Sequence, residues 1–155
     1  MCRAYLLIFT VLFASCDSPE PVQIVDDATL SEWGYKTTGL ESQDQTKWSR
    51  ENFGKSTITT QSIKSTQLKN GYYPRYSLHK ESYQSVDEAE LRLSRIKILD
   101  PTLPGEYQKS ADWNTGFVVD TSVIFVSTDA DVFGYKAIAD LKEQLEDHYK
   151  QNPTK

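Results

Sequence analysis

The chain has 155 residues, which suits one domain with a tail. It is 38% hydrophobic and 25% charged, proportions of a folded globular protein rather than a disordered segment. A formal net charge of −5 argues against a nucleic-acid partner, which needs a basic stripe, and against adhesion to anionic lipid through charge.

At the N-terminus, Arg3 supplies a positive charge ahead of an apolar run from Ala4 to Ala14. The run is too short for a spanning helix, which needs ~20 residues. It suits the hydrophobic region of a secretory signal, typically ~7–15 residues. The next residues, Phe13-Ala14-Ser15-Cys16, resemble the lipobox of bacterial lipoproteins, in which two small residues precede a cysteine that carries lipid. Phe13 departs from the Leu usual there, and the resemblance covers residues 1–16 only.

The resemblance implies a signal peptide over 1–15, cleavage before Cys16, and thioether-linked diacylglycerol on that thiol, often with a third chain on the amine. At ~0.8 kcal/mol per buried CH₂, two or three chains hold firmly. It implies a place in the bacterial cell envelope, on the inner or outer membrane. Asp17 resembles the inner-membrane retention signal of enterobacterial lipoproteins. Cys2 leaves with the signal and Cys16 is consumed by lipid, so no thiol remains for a disulfide, a metal or redox chemistry. Loss of Arg3 takes the mature charge from −5 to −6.

Behind the anchor, residues 17–30 carry Pro19, Pro21 and four acids, Asp17, Glu20, Asp26 and Asp27, and read as an extended acidic tether. Residues 31–150 are expected to form one α+β domain, and 151–155 a tail. The polar stretch from Ser31 to Asn52 has no assignable period.

From Ser56 to Lys69, Thr, Ser and Ile favour a strand. Asn70-Gly71 then signals a hairpin, because a type I′ turn needs two positive φ angles. Symmetric pairing across it sets Lys69 opposite Tyr72, Ser65 opposite Tyr76 and Ile63 opposite Leu78, with Ile63, Tyr72, Tyr76 and Leu78 sharing one core-facing side. Pro74 donates no ladder hydrogen bond, so the second strand should be an edge or be interrupted there. Ser85-Val86-Asp87-Glu88 is a capping box, followed by Val86, Ala89, Leu93 and Ile96 at helical spacing. A second hairpin is expected around Gly116, then the most apolar strand, Val123-Ile124-Phe125-Val126. Thr128 and Asp131 suggest another capping box, opening a helix with Gly134, Ile138, Leu141, Leu145 and His148 in register. The order over residues 55–150 is ββαββα, an antiparallel sheet with two helices packed on one face. A shift of 45 residues superposes much of the two halves, Gly71 on Gly116 and Leu78 on Val123, so an internal repeat is one reading.

No motif carries chemistry. Gly54-Lys55-Ser56 lacks the first glycine of a phosphate-binding loop, since position 49 is Ser. Asp129 and Asp131 resemble the start of an EF-hand loop, but Phe133 and Asp140 stand where further ligands are needed. His79 and His148 form no metal pair, and no GxSxG elbow accompanies them. Asp112, Asp120 and Asp129 stand at no spacing that singles out a glycosidase pair. Neither a metal nor a cofactor is implied. The aromatics remain: Tyr73, Tyr83 and Trp113 are the candidate binding residues.

The expectation is a membrane-anchored, non-enzymatic envelope lipoprotein with a protein partner, of inhibitor or immunity type by analogy. A cell-wall glycan module using exposed aromatics is the alternative, and an enzyme with an unrecognised site the second.

Overall fold

The computed structural model describes residues 21–97, 114–128 and 134–152. Within them lie four helices, α1 (Asp27–Glu32), α2 (Lys47–Phe53), α3 (Val86–Lys97) and α4 (Gly134–Gln151). Five strands accompany them: β1 (Tyr35–Gln43), β2 (Thr57–Ser65), β3 (Arg75–Ser82), β4 (Asn114–Val119) and β5 (Ser122–Ser127). They form one antiparallel sheet in the order β1-β2-β3-β5-β4. The class is α+β, and from Thr57 onward the order is ββαββα. The stretch without a sequence assignment holds β1 and α2. Thr46 caps α2 by accepting from Ser49 N at 3.2 Å, and Gly54, at φ 85°, closes it.

The Asn70-Gly71 turn forms with φ values of 53° and 82°, and Lys69 bridges Tyr72. Beyond that bridge the register departs from symmetric pairing by two residues: Ile63 faces Tyr76, and Gln61 faces Leu78. Two features cause the slip. Pro74 offers only its carbonyl, which accepts from Ser65 N at 2.8 Å, while Thr66 N turns away to Gly34 O. A slip of two keeps every strand side chain on its face, so Ile63, Tyr76 and Leu78 share one side. Tyr72, expected with them, lies in the turn region outside β3 and is 65% exposed. β3 is a central strand, and it begins just after Pro74.

The second hairpin turns at Asp120-Thr121, with Asp120 at φ 50°, rather than at Gly116. Gly116 lies mid-strand, where a Cβ would stand 2.6 Å from both Ile124 O and Phe125 Cβ. The glycine is there for close approach. The 45-residue repeat also fails as a structural equivalence: it superposes Leu78 on Val123, yet these point to opposite sides of the sheet.

The two long helices do not share a face. Ile124, Val126, Tyr76, Leu78 and Ile63 pack with Ile138, Leu141, Leu145 and Tyr149 of α4. Val123 packs on the other side with Ala89 of α3, Phe53 and Tyr83, against partly buried Leu93, Val118 and Phe125. The physical reason is β5 itself, whose successive apolar residues point alternately to both faces and need cover on both. On α3, Ser85 Oγ accepts from Glu88 N at 3.3 Å and Glu88 accepts from Gln84 N at 3.1 Å, so the capping box forms with its return bond one residue early. Val86, expected on the packed face, is 45% exposed.

The tether boundary at residue 30 is also corrected. Ile24, Val25 and Leu30 belong to the α4-side core. Gln61, 0% exposed, holds them there. Its carbonyl accepts from Ile24 N and Val25 N at 2.9 and 3.0 Å, and its amide donates to Val25 O and Thr37 Oγ1, both at 2.9 Å. Tyr149 OH adds a bond to Ile24 O at 2.9 Å. The folded domain therefore reaches back to Ile24. Replacing Gln61 with Leu orphans these backbone groups in a dry site, and we expect it to cost about 3 kcal/mol in urea unfolding.

Candidate functional site

On the α3 side of the sheet, antiparallel register aligns side chains in rows across the strands. The first row is Lys36, Lys64 and Arg75, directly paired across β1, β2 and β3. The second is Gly39, Ser62, Ser77 and Ser127. The third is Glu41, Thr60, His79, Phe125 and Gly116, and the fourth contains Ile58, Glu81, Val123 and Val118.

α3 packs mainly on β4 and β5, and around the first two rows of this face no residue of a described helix lines the surface. The small second row then becomes the floor of an open groove of about 840 Å³. Ser62 and Ser77 line its base, Lys64, Arg75 and Tyr73 one side, and Glu41 another. Tyr72 is 65% exposed and Tyr73 43%. Lys64 Nζ sits 4.6 Å from the centre of the Tyr73 ring, a cation–π contact that fixes that wall.

Next to the groove, His79 is stacked on Phe125 at 4.5 Å and 15°. Its Nδ1 is hydrogen-bonded to Thr60 Oγ1 at 3.0 Å and its Nε2 to Ser127 Oγ at 2.9 Å. Burial pushes the imidazole below its usual value and Arg92 adds to that, while the Glu81 charge opposes it. The ring is thus held neutral, donating through one nitrogen and accepting at the other. It resembles half of a Ser–His pair, but the group on its far side is a hydroxyl. No carboxylate among the described residues is hydrogen-bonded to the ring to stabilise an imidazolium.

The nearest carboxylate is already committed. Glu81, 3% exposed, takes a fork from Arg92: Nε to Oε2 at 2.7 Å and Nη2 to Oε1 at 2.8 Å. Tyr83 OH donates to the same Oε2 at 2.5 Å. Burial alone would raise the Glu81 carboxyl, but the Arg92 fork, the Tyr83 hydroxyl and the Arg92 charge outweigh it and hold the group below its ordinary value. Arg92 also covers the Phe53 ring at 5.2 Å. This cluster clamps α3 and α2 to the sheet. It is a structural pair rather than a reactive one.

The sequence candidates separate in space. Tyr73 stands at the groove. Tyr83 does not: at 6% exposed and bonded to Glu81 it is core, because the alternation beyond β3 turns it under α3. Trp113, Asp112, Asp129, Asp131 and Cys16 lie outside the described residues. Trp48 is exposed on α2, edge-on to Phe53. His79 is half-buried, its ring stacked on Phe125 and bonded to Thr60 and Ser127. His148 near the α4 C-terminus meets Trp33 edge-on at 5.8 Å. The sequence reading missed the Lys36–Lys64–Arg75 row. Its signal needed the strand register, which Pro74 displaces.

Among the described residues, no group of three or more His, Cys, Asp or Glu is placed to hold a metal, and no helix is long and apolar enough to cross a membrane. Comparison with family models, curated proteins and solved structures finds no match to the chain.

Arg92→Ala leaves Glu81 buried without its partner, and we expect a loss of about 3 kcal/mol in urea unfolding at pH 7. The acid response follows from the two shifts. Folded His79 resists protonation, so stability should begin to fall as pH drops through about 6.5, where an unfolded histidine takes up its proton. The Glu81 contribution, present above the ordinary carboxylate range, should be lost below about pH 4. His79→Gln should flatten the upper window and leave the lower one, read from unfolding curves across pH.

Proposed function

We propose that this chain is a lipoprotein held on a bacterial envelope membrane by lipid on Cys16, and that its domain is a non-enzymatic protein-binding module. The anchoring reading rests on the charge, apolar run, small residues and cysteine of residues 1–16. With Ile24 in the core, the tether shortens to residues 17–23, which reach about 24 Å at full extension. The domain would then work close to the headgroups, in a radius set by that short leash.

The observation that carries the binding reading is the open groove with Tyr72 and Tyr73 exposed at its rim. Exposed tyrosines beside a recessed polar floor are the usual anchors of a protein contact. Size and address fit an inhibitor or immunity protein, by analogy alone. The same tyrosines favour a second reading, a glycan platform. Against it, Lys64 already occupies one face of the Tyr73 ring, which leaves a single face for a sugar.

Radiolabelled palmitate should enter the protein and be absent from Cys16→Ala; label that persists in the variant sinks the anchor. For the groove, a photo-crosslinking residue at position 72 should trap a protein of discrete mass in intact cells. Purified cell-wall sacculi should not sediment the protein. Sedimentation that disappears in Tyr72→Ala/Tyr73→Ala would put the glycan reading in its place.

A further inference from the structure

Lys36, Lys64 and Arg75 lie side by side across three adjacent strands, each opposite a like charge, in a chain whose net charge is −5. Like charges directly opposite one another destabilise a sheet. Among the described residues none of the three makes an ion pair; the four pairs present involve Lys47, Arg92, Lys142 and Lys150. Lys36 and Arg75 are exposed, and Lys64 is half-buried against Tyr73. A row that costs repulsion and makes no ion pair with a described residue, two of whose members, Lys64 and Arg75, line the groove, is a site arranged for an anion brought from outside.

We propose that the groove recognises an acidic, extended polypeptide segment of the partner, whose carboxylates neutralise the Lys36–Lys64–Arg75 row while its backbone lies over the Ser62–Ser77 floor. The inference rests on the protein-binding reading and names the chemistry of its partner. Adjacent strands are about 4.8 Å apart, so the row spans about 10 Å, and alternate side chains of an extended peptide repeat every ~7 Å. Two or three acids on one edge of such a peptide match that span. The hydroxyls of Ser62 and Ser77 suit a peptide backbone, and Glu41 across the groove repels a second line of acids, which gives the site a direction. The acidic remainder of the chain opposes approach to a flat anionic membrane.

The test uses the full chain in a neutral maltoside detergent, titrated with octaglutamate, octalysine or inorganic phosphate and followed by amide chemical shifts. Octaglutamate should shift residues 36, 62, 64, 75 and 77, and its binding should weaken about tenfold as salt is raised from about 20 to about 200 mM. Lys64→Gln/Arg75→Gln should lose binding about tenfold or more, while Glu41→Gln should strengthen it. The double variant should also melt at a higher temperature than the parent, because the cross-strand repulsion is relieved. No shift of these amides at about 1 mM octaglutamate in low salt overturns the proposal. So does a lowered melting temperature with binding unchanged, which would make the row structural. Phosphate that displaces octaglutamate at equal concentration overturns the polypeptide as occupant, as does adhesion to phosphatidylglycerol vesicles that the double variant abolishes. Crosslinking at position 72 separates the two readings. A trapped protein whose capture ignores the double variant removes the acidic segment and leaves protein binding standing. Failure to trap any protein removes both.

Discussion

Every residue from Val123 to Val126 is apolar, and in a strand these side chains point alternately to the two sides of the sheet. Such a strand is stable only where both faces are dry. Its neighbours comply: Tyr76 and Leu78 on β3 continue one face, and Val118 on β4 continues the other. The helices then have no freedom of placement. α4, with Ile138, Leu141, Leu145 and Tyr149 at helical spacing, seals the larger apolar face. α3 offers a smaller patch, Ala89 and Leu93, and packs mainly on β4 and β5 of the other.

That shortfall makes the groove. Beyond the reach of α3 the exposed rows change from Val and Phe to Ser, Lys, Arg and Glu, residues whose polar groups remain in water at little cost. The Glu81–Arg92–Tyr83 cluster sits at the border between dry and wet halves. There a carboxylate with no exit to solvent is made tolerable by a two-bond fork and a phenol. The cluster seats α3 and so sets where cover stops. His79 stands on the same border, its two nitrogens bonded across three strands, and it links the floor of the groove to the packed half.

On the opposite face the closing element is the N-terminal segment. Its attachment depends on Gln61, a side chain that imitates a neighbouring strand by offering both an acceptor and a donor to the backbone of Ile24 and Val25. A polar residue at a core position is costly without such partners. Here all of its bonds are made, and they tie the start of the domain to a central strand. The same closure brings the proposed membrane anchor within a few residues of the folded body.

Local chemistry was legible in the sequence. The Asn70-Gly71 turn, the Ser85–Glu88 cap and the apolar period of α4 each depend on residues a few places apart, and the ββαββα order followed from them. Tyr73 was legible too, since it stands beside a turn, where exposure is the default. What depended on distant partners was not. The two-residue register slip arises because Thr66 bonds Gly34, and the buried N-terminus because Gln61 reaches Ile24. The uninterrupted run Val123–Val126 did carry the sign of two-sided burial, although alternation elsewhere suggested a sheet covered on one face. The sequence by itself thus determined the elements from Thr57 onward and their order, through short-range hydrogen bonding and side-chain period, but not α1, β1 or α2. Only the tertiary structure decided which face each helix covers, where the domain begins, and that three cations meet in one row. Those outcomes depend on strand register and on competition for apolar surface, which involve residues tens of positions apart.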